Sequence, residues 1–373
     1  MFQLKELHIQ NFKNIKSVHL EFDSKYVFFI GDNGVGKTNL LDAIHYLSVT
    51  KSFFNLADNQ NIRHESPFFA IHGNYITGGE MQDLVSCIQQ RNQKKQLKIN
   101  KKDYDRMADH IGRFPVVMIS PSDRDLINDG SDLRRKFLDG VIAQFDRAYL
   151  DDLIAYNKAL MQRNALLKQF EEMRFFDNTL IEIWDYQLNQ TGTRIYEKRK
   201  TFLEGFVPLF RHYFAFISNS REQVDVVYET QLGELNMEGL LAANLDRDRA
   251  ARYTTVGIHK DDLDFRIDSY PVKKFGSQGQ QKSFVIAIKL AQFQYTRQIK
   301  GFTPILLLDD IFDKLDGLRV EQIIRLVGED GFGQVFITDT QRDRIAGIFS
   351  KIEIDHKIFE IVDGSIHETL QYS

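Results

Sequence analysis

The chain has 373 residues, 43% of them hydrophobic and 27% charged, with 30 Phe and a formal net charge of −4. That length calls for two packed units, or three, and the composition supplies an ample core under a charged surface, which excludes a disordered chain. The charge balance excludes a generally basic nucleic-acid protein, so any positive field for DNA has to be local.

Apolar runs such as Val27 to Ile30 and Pro304 to Leu308 are far too short to span a membrane. The opening MFQLKELHIQNF alternates as a strand does and lacks the pattern of a signal peptide. Cys87 is the single cysteine, so no internal disulfide forms, and no His and Cys residues have zinc spacing. The expectation is a reduced, cytoplasmic protein with no membrane association.

In chain order, Leu4 to Ile9, Val18 to Phe22 and Val27 to Ile30 read as strands. A glycine-rich turn opens at Gly31, and Asn39 to Ser48 reads as a helix with Leu40, Leu41, Ile44 and Leu47 on one face. Residues 68–119 are β-rich. From Asp146 to about Ala215 the spacing turns helical, enough for two long helices, the second disturbed by Pro208 near its end. Short strands return at Val224 to Tyr228 and Leu263 to Ile267. Helix Lys282 to Ile299, strand Ile305 to Leu308, helix Leu318 to Val327 and strand Gln334 to Thr338 follow. No internal repeat or sustained heptad appears. The layout is α/β with a mostly helical insertion. It divides as residues 1–145 for the first part of the α/β core with a β-rich lobe, 146–220 for a helical lid, and 221–373 for the second part of that core.

Gly31-Asp32-Asn33-Gly34-Val35-Gly36-Lys37-Thr38 is a complete G-x-x-x-x-G-K-T between a strand and a helix. Its glycines let backbone N–H groups curl around a phosphate chain, and the helix points its positive end at the same place. In that pattern Lys37 reaches the β- and γ-phosphates of ATP and the Thr38 hydroxyl ligates Mg²⁺. The partner acids close the apolar run at Asp309 and Asp310. Asp309 is assigned to the Mg²⁺ shell, and Asp310 to orienting or deprotonating the attacking water, with Lys37 as the second catalytic group.

Phe275-Gly276-Ser277-Gln278-Gly279-Gln280-Gln281-Lys282, at a helix start, resembles the signature of ABC-type ATPases. There the serine, the glycine and the helix N-terminus grip a γ-phosphate bound on another protomer, which makes Ser277, Gly279 and Gln280 nucleotide-binding residues in trans. Asp313 and Lys314 occupy the place of the subunit-contact loop with atypical residues. Phe336 to Thr340 ends a strand where such proteins often carry a histidine. Thr338 and Thr340 are both candidates to meet the phosphate instead.

Over nearly its whole length the chain resembles the RecF family of SMC-like ABC-type ATPases. The resemblance rests on Leu7 to Asn14, on Gly36 to Ile44 with Lys51-Ser52-Phe53, and on Ser120-Pro121-Ser122-Asp123. It continues in Arg134 to Asp139, Tyr156 to Lys168 and Gly257 to Leu263. Ile258, Lys260 and Asp42 depart from the family's usual residues without removing a phosphate or Mg²⁺ group. The resemblance implies an ABC/SMC-like head with a helical lid, ATP and Mg²⁺ as cofactors, and Lys13 and Asn14 near the nucleotide. It implies a DNA-binding ATPase that dimerises on ATP and hydrolyses it weakly and DNA-dependently. Such a protein acts in recombinational repair, replication-fork maintenance and SOS induction. Its implied partners are single- and double-stranded DNA at gap junctions, RecR and RecO, and it helps RecA replace single-strand binding protein. The alternative is an SMC-like DNA-tethering ATPase without a mediator role, which needs long coiled-coil arms.

Residues 91–102, RNQKKQLKINKK, hold Arg91, Lys94, Lys95, Lys98, Lys101 and Lys102 with no acid. They suit either DNA phosphates or a solvated hairpin turn equally well. Arg194, Lys198, Arg199 and Lys200 read as a solvated helix face. His259 beside Asp261 and Asp262 reads as a hydrogen-bonded structural element rather than a catalytic one.

Overall fold

The computed structural model describes residues 2–54, 57–78, 81–219, 222–233, 235–312, 317–328, 331–340, 356–362 and 365–372. Asp313 and Lys314 lie outside the described residues. The elements are β1 (Gln3–Phe12), β2 (Ile15–Glu21), β3 (Tyr26–Ile30), α1 (Lys37–Val49), β4 (Phe68–Thr77), β5 (Met81–Gln90), β6 (Gln96–Ile99), β7 (Lys102–Asp103), β8 (Val116–Ile119), α2 (Asp125–Asn128), α3 (Ser131–Ala143), α4 (Arg147–Met173) and α5 (Asn178–Ser218). Then come β9 (Val224–Glu229), α6 (Met237–Ala243), α7 (Leu245–Ala251), β10 (Asp262–Ile267), β11 (Tyr270–Pro271), α8 (Val272–Phe275), α9 (Gln278–Lys300), β12 (Ile305–Asp309), α10 (Gly317–Gly328), β13 (Val335–Asp339), β14 (His356–Val362) and β15 (Ser365–Tyr372).

Packing divides the chain into two compact units. The first comprises Met1–Arg124, Phe216–Ser220 and Lys282–Ser373. It holds two six-stranded sheets, one ordered β2-β1-β4-β5-β6-β7 and one ordered β15-β14-β3-β13-β12-β8. Strands β14, β3, β13, β12 and β8 run parallel, and β3, β13, β12 and β8 read as unbroken buried runs, as a sheet covered on both faces requires. The first sheet is antiparallel and alternates, with Leu4, Leu7 and Ile9 fully buried and Glu6, His8 and Gln10 outside. One core joins both sheets around α1, where Leu40, Leu41, Ile44 and Leu47 meet Leu7, Phe12, Phe29 and Phe336.

The second unit comprises Asp125–Ala215 and Arg221–Gln281. It combines the three-stranded sheet β11-β10-β9 with the helices α2 to α8. Asp146 caps α4 by accepting from the Tyr149 N–H at 2.9 Å. α5 runs unbroken through Pro208 to Ser218, close to the expected end at about Ala215. Burial of Phe206, Phe210, Tyr213, Phe214 and Ile217 along one stripe outweighs the one backbone bond that proline removes. Among the described residues no helix is long and apolar enough to cross a membrane.

Charge burial in this unit departs from the sequence reading. Arg199 is 1% exposed and ion-paired at 2.8 Å to both Asp139 and Asp261, so it is not part of a solvated face. Arg194 pairs with Asp152, and Lys198 with Asp146. Arg163 is likewise buried, between Asp185 and Asp248. These arginines tie α4 and α5 to the segment 248–262.

Candidate nucleotide site

β3 delivers the chain into the glycine loop and α1 carries it away, with Lys37 the first helical residue. No side chain caps α1, so its first N–H groups stay available to an anion. Two glycines are required by space. A Cβ on Gly31 would lie 2.4 Å from the Ile361 carbonyl oxygen of β14. At Gly36, φ is 113° and a Cβ would meet Asn14 Oδ1 at 2.9 Å. Asn14 is the loop's prop: its amide donates to the Gly34 carbonyl at 3.3 Å, and its Oδ1 accepts from Asn39 at 2.7 Å. Lys13 turns elsewhere, pairing at 2.6 Å with the fully buried Asp42, which also accepts from Ser52 and the Phe53 N–H.

Lys37 folds over its own loop, donating to the Gly31 and Asp32 carbonyls at 2.6 and 2.8 Å. Burial pulls its pKa below the usual lysine value, against the opposing pull of Asp310 and Asp309. The Thr38 hydroxyl donates to Asp309 Oδ1 at 2.8 Å, bridging α1 to the end of β12. A second hydroxyl, from Thr338 of β13, reaches the same oxygen at 2.9 Å and accepts from the Asp310 N–H at 3.0 Å. Asp309 is 4% exposed, and burial raises its pKa while both threonines lower it. Asp310 follows in a left-handed conformation, φ 46°.

The sequence-assigned residues Gly31, Asp32, Asn33, Gly34, Val35, Gly36, Lys37, Thr38, Asp309 and Asp310 therefore gather in one unit. Thr338 is a different matter. Being fully buried and turned to Asp309, it holds the acid rather than meeting a phosphate, whereas Thr340 is exposed. Its part follows from parallel pairing of β12 with β13, which sets Asp309 opposite Thr338.

Ser277, Gly279 and Gln280 open α9, and their residues here belong to the second unit. Ser277 and Gln280 form a reciprocal cap: the Gln280 N–H donates to Ser277 Oγ at 3.2 Å, and the Ser277 N–H donates to Gln280 Oε1 at 2.6 Å. Gln280 also donates to Glu222 at 2.7 Å. In the same unit His259 sits between the Tyr156 hydroxyl at 2.8 Å and the Thr254 carbonyl at 3.1 Å. Burial pushes its pKa down to about 4, so it is neutral at pH 7 and structural. Asp262 is engaged by Arg134 at 2.6 Å.

The basic segment 91–102 comprises the β5–β6 turn, strand β6 with Lys98, the β6–β7 turn and Lys102 at the start of β7. Lys95 is removed from any DNA-facing set, because its ammonium is held by Asp58 at 2.8 Å, Tyr46 and the Thr50 carbonyl. Lys98 contacts Asp103 at 3.6 Å. Lys94, Lys101 and Lys102 are exposed.

Comparison with known proteins bears on the family and the fold. The model of the RecF/RecN/SMC N terminal domain matches residues 3–357. The DNA replication and repair protein RecF of Phocaeicola vulgatus is 49% identical over 366 residues, covering 98% of each chain. That of Flavobacterium johnsoniae is 50% identical over 358 residues, covering 96% of this chain and 99% of the relative. A solved structure of the recombination mediator protein RecF with ATP, in the RecFOR pathway, superposes with a TM-score of 0.90 at 31% identity, over 99% of this chain and 98% of the other. An Smc head domain from Pyrococcus furiosus shares the fold, with a TM-score of 0.59 at 15% identity. The chain belongs to the RecF family of DNA replication and repair proteins, within the RecF/RecN/SMC class.

Proposed function

We propose that the chain is an ATP-binding, DNA-repair ATPase of the RecFOR pathway that dimerises when it binds nucleotide. The observation that carries this reading is the meeting of α1 and β12. A threonine hydroxyl and a buried carboxylate lie 2.8 Å apart beside a lysine folded over a glycine loop. Two oxygen donors of this kind suit Mg²⁺, which takes one or two protein oxygens together with phosphate oxygens and water. Thr38 and Asp309 would hold it there, where it neutralises phosphate charge.

The protein's own groups divide the remaining work. The free N–H groups of α1 and the loop bind the phosphates. Lys37 exchanges its loop carbonyls for phosphate oxygens. Asp310 orients the attacking water, in a slow hydrolysis stimulated by DNA. Ser277, Gly279 and Gln280 of a second copy close over the γ-phosphate, so ATP acts as a population switch between monomer and dimer. On this reading residues 1–145 and 221–373 supply the ATPase and 146–220 the lid. RecR, RecO and gapped DNA are the partners, and the cytoplasm is the compartment. The tethering alternative is disfavoured by the helical insertion itself, whose helices of 27 and 41 residues are too short for SMC arms.

Two substitutions test the reading. Lys37→Met is expected to abolish ATP binding in calorimetry, and an unchanged affinity refutes the loop assignment. Ser277→Arg is expected to remain monomeric in light scattering with ATP present. A normal ATP-driven dimer in that variant removes the trans role of the signature.

A further inference from the structure

The signature segment carries a surface that neither its cap nor the glycine loop uses. Tyr270 and Phe275 are 60% and 67% exposed, and their rings touch, with centroids 5.4 Å apart. Between them Lys273 and Lys274 are exposed and make no ion pair among the described residues. Single exposed apolar residues are ordinary, but two aromatics in mutual contact with two flanking cations form a chemically specific surface.

This surface is rigidly tied to Ser277. The Gly276 N–H donates to the Val272 carbonyl at 2.9 Å, closing the single turn of α8. Gln281, one turn into α9, donates to the Gly276 carbonyl at 3.2 Å and to that of Val272 at 3.4 Å. Val272 is fully buried, and a Cβ on Gly276 would come within 2.8 Å of its carbonyl oxygen, so the turn has no room to shift. Phe275 stands two positions before Ser277, a reach of at most about 7 Å. Whatever Ser277 grips, the aromatic pair lies within a side chain's length of it.

We propose that Phe275, backed by Tyr270, stacks on the base of the nucleotide bound by the other copy, so that the signature segment reads the base as well as the terminal phosphate. The inference rests on the trans role of Ser277 given under Proposed function. Flat π-faces accept a nucleobase by stacking, and the adjacent lysines complement the charge of the phosphates. A base meets this surface only in the closed dimer, so base identity enters the dimerisation equilibrium and not the first capture of nucleotide by the glycine loop.

The test is light scattering of the full chain, titrated with Mg·ATP and with Mg·CTP, for the unchanged protein, Phe275→Ala and Phe275→Trp. Loss of one stacked base is expected to raise the half-maximal ATP concentration about tenfold in Phe275→Ala. The preference for ATP over CTP falls with it, and Phe275→Trp restores both. Equal shifts for the two nucleotides, or none, overturn the proposal. So does a loss of DNA affinity with an unaltered preference, which would assign the aromatics to a nucleic-acid strand. If the unchanged chain forms no dimer with either nucleotide, the trans reading itself falls. That result is distinct from a dimer indifferent to Phe275.

Discussion

Arg199→Met probes the buried charge network in the second unit. Arg199 donates to Asp139 Oδ1 from Nη2 at 2.8 Å and from Nε at 3.1 Å, to Asp261 Oδ2 at 2.8 Å, to the Ile258 carbonyl at 2.9 Å and to the Tyr149 hydroxyl at 3.1 Å. Methionine keeps much of the stem's apolar packing and deletes the cation, leaving Asp261, itself 1% exposed, as an unpaired buried carboxylate. Breaking one side of a buried pair costs about 3–5 kcal/mol, a large part of a domain's total stability. Urea denaturation followed by circular dichroism measures this loss, and Trp184 of α5, the one tryptophan, reports the same unit by fluorescence. Asp261→Asn in the variant background removes the stranded charge and is expected to recover part of the loss. Acidification acts the same way. Burial already holds the Asp261 carboxyl above the usual aspartate range, and Arg199 is among the groups pulling it down. Without Arg199 the folded state binds that proton more tightly than the unfolded chain. The gap between variant and parent is therefore widest at neutral pH and narrows as pH falls through the folded pKa. A loss below about 1 kcal/mol, or one indifferent to both pH and Asp261→Asn, refutes the assignment of this network.

Thr338→Val keeps the shape of a buried threonine while removing a donor to Asp309 and the acceptor for the Asp310 N–H. The Asp309 carboxyl is expected to rise further, and the Mg²⁺ concentration for half-maximal ATP turnover to rise about tenfold, one charged hydrogen bond's worth. An unmoved Mg²⁺ midpoint shows that Thr338 is dispensable to the acid. For DNA, reversing Lys94, Lys101 and Lys102 to Glu is expected to weaken binding and flatten the salt dependence by roughly one unit of slope for each phosphate no longer neutralised. An identical salt slope in fluorescence anisotropy removes the hairpin from the DNA surface. Lys95→Met is expected instead to lower stability, because its ammonium is the partner of Asp58 inside the fold; an unchanged melting temperature contradicts that role.

What could be read in advance was governed by local rules. The glycine loop announced itself because strand, turn and helix periods follow one another at Val27, Gly31 and Asn39. The Ser277–Gln280 cap is legible as a serine followed three residues later by a glutamine. Charge burial is not local. Arg194 and Arg199 stand five residues apart on one helix, yet one is half exposed and the other sealed, because only Arg199 faces Asp139 and Asp261. Lys95 looks like its neighbours in a basic run until β5 and β6 pair and set it against Asp58. Pro208 misleads for the same reason: its local cost is visible, whereas the buried aromatic stripe that outweighs it is assembled by tertiary packing.

The arrangement around Asp309 bears on how much rearrangement nucleotide binding requires. Thr38 donates its single hydroxyl proton to Asp309, but a hydroxyl oxygen keeps its lone pairs, so it can ligate a cation without giving up that bond. Thr338 meanwhile fixes the carboxylate from the opposite strand. On the proposed reading the cation side of the site is thus organised beforehand. Lys37 is not, since its ammonium is engaged by two loop carbonyls and desolvated enough to lower its pKa. On the proposed reading, arriving phosphates would replace those carbonyls with a stronger, charged partner, releasing the loop carbonyls as the lysine turns. Substitutions that loosen Lys37 from the loop should therefore alter the rate of nucleotide capture, whereas those at Thr338 should alter the cation requirement. Separating these two effects in the same titration distinguishes a preorganised acid from a lysine that moves.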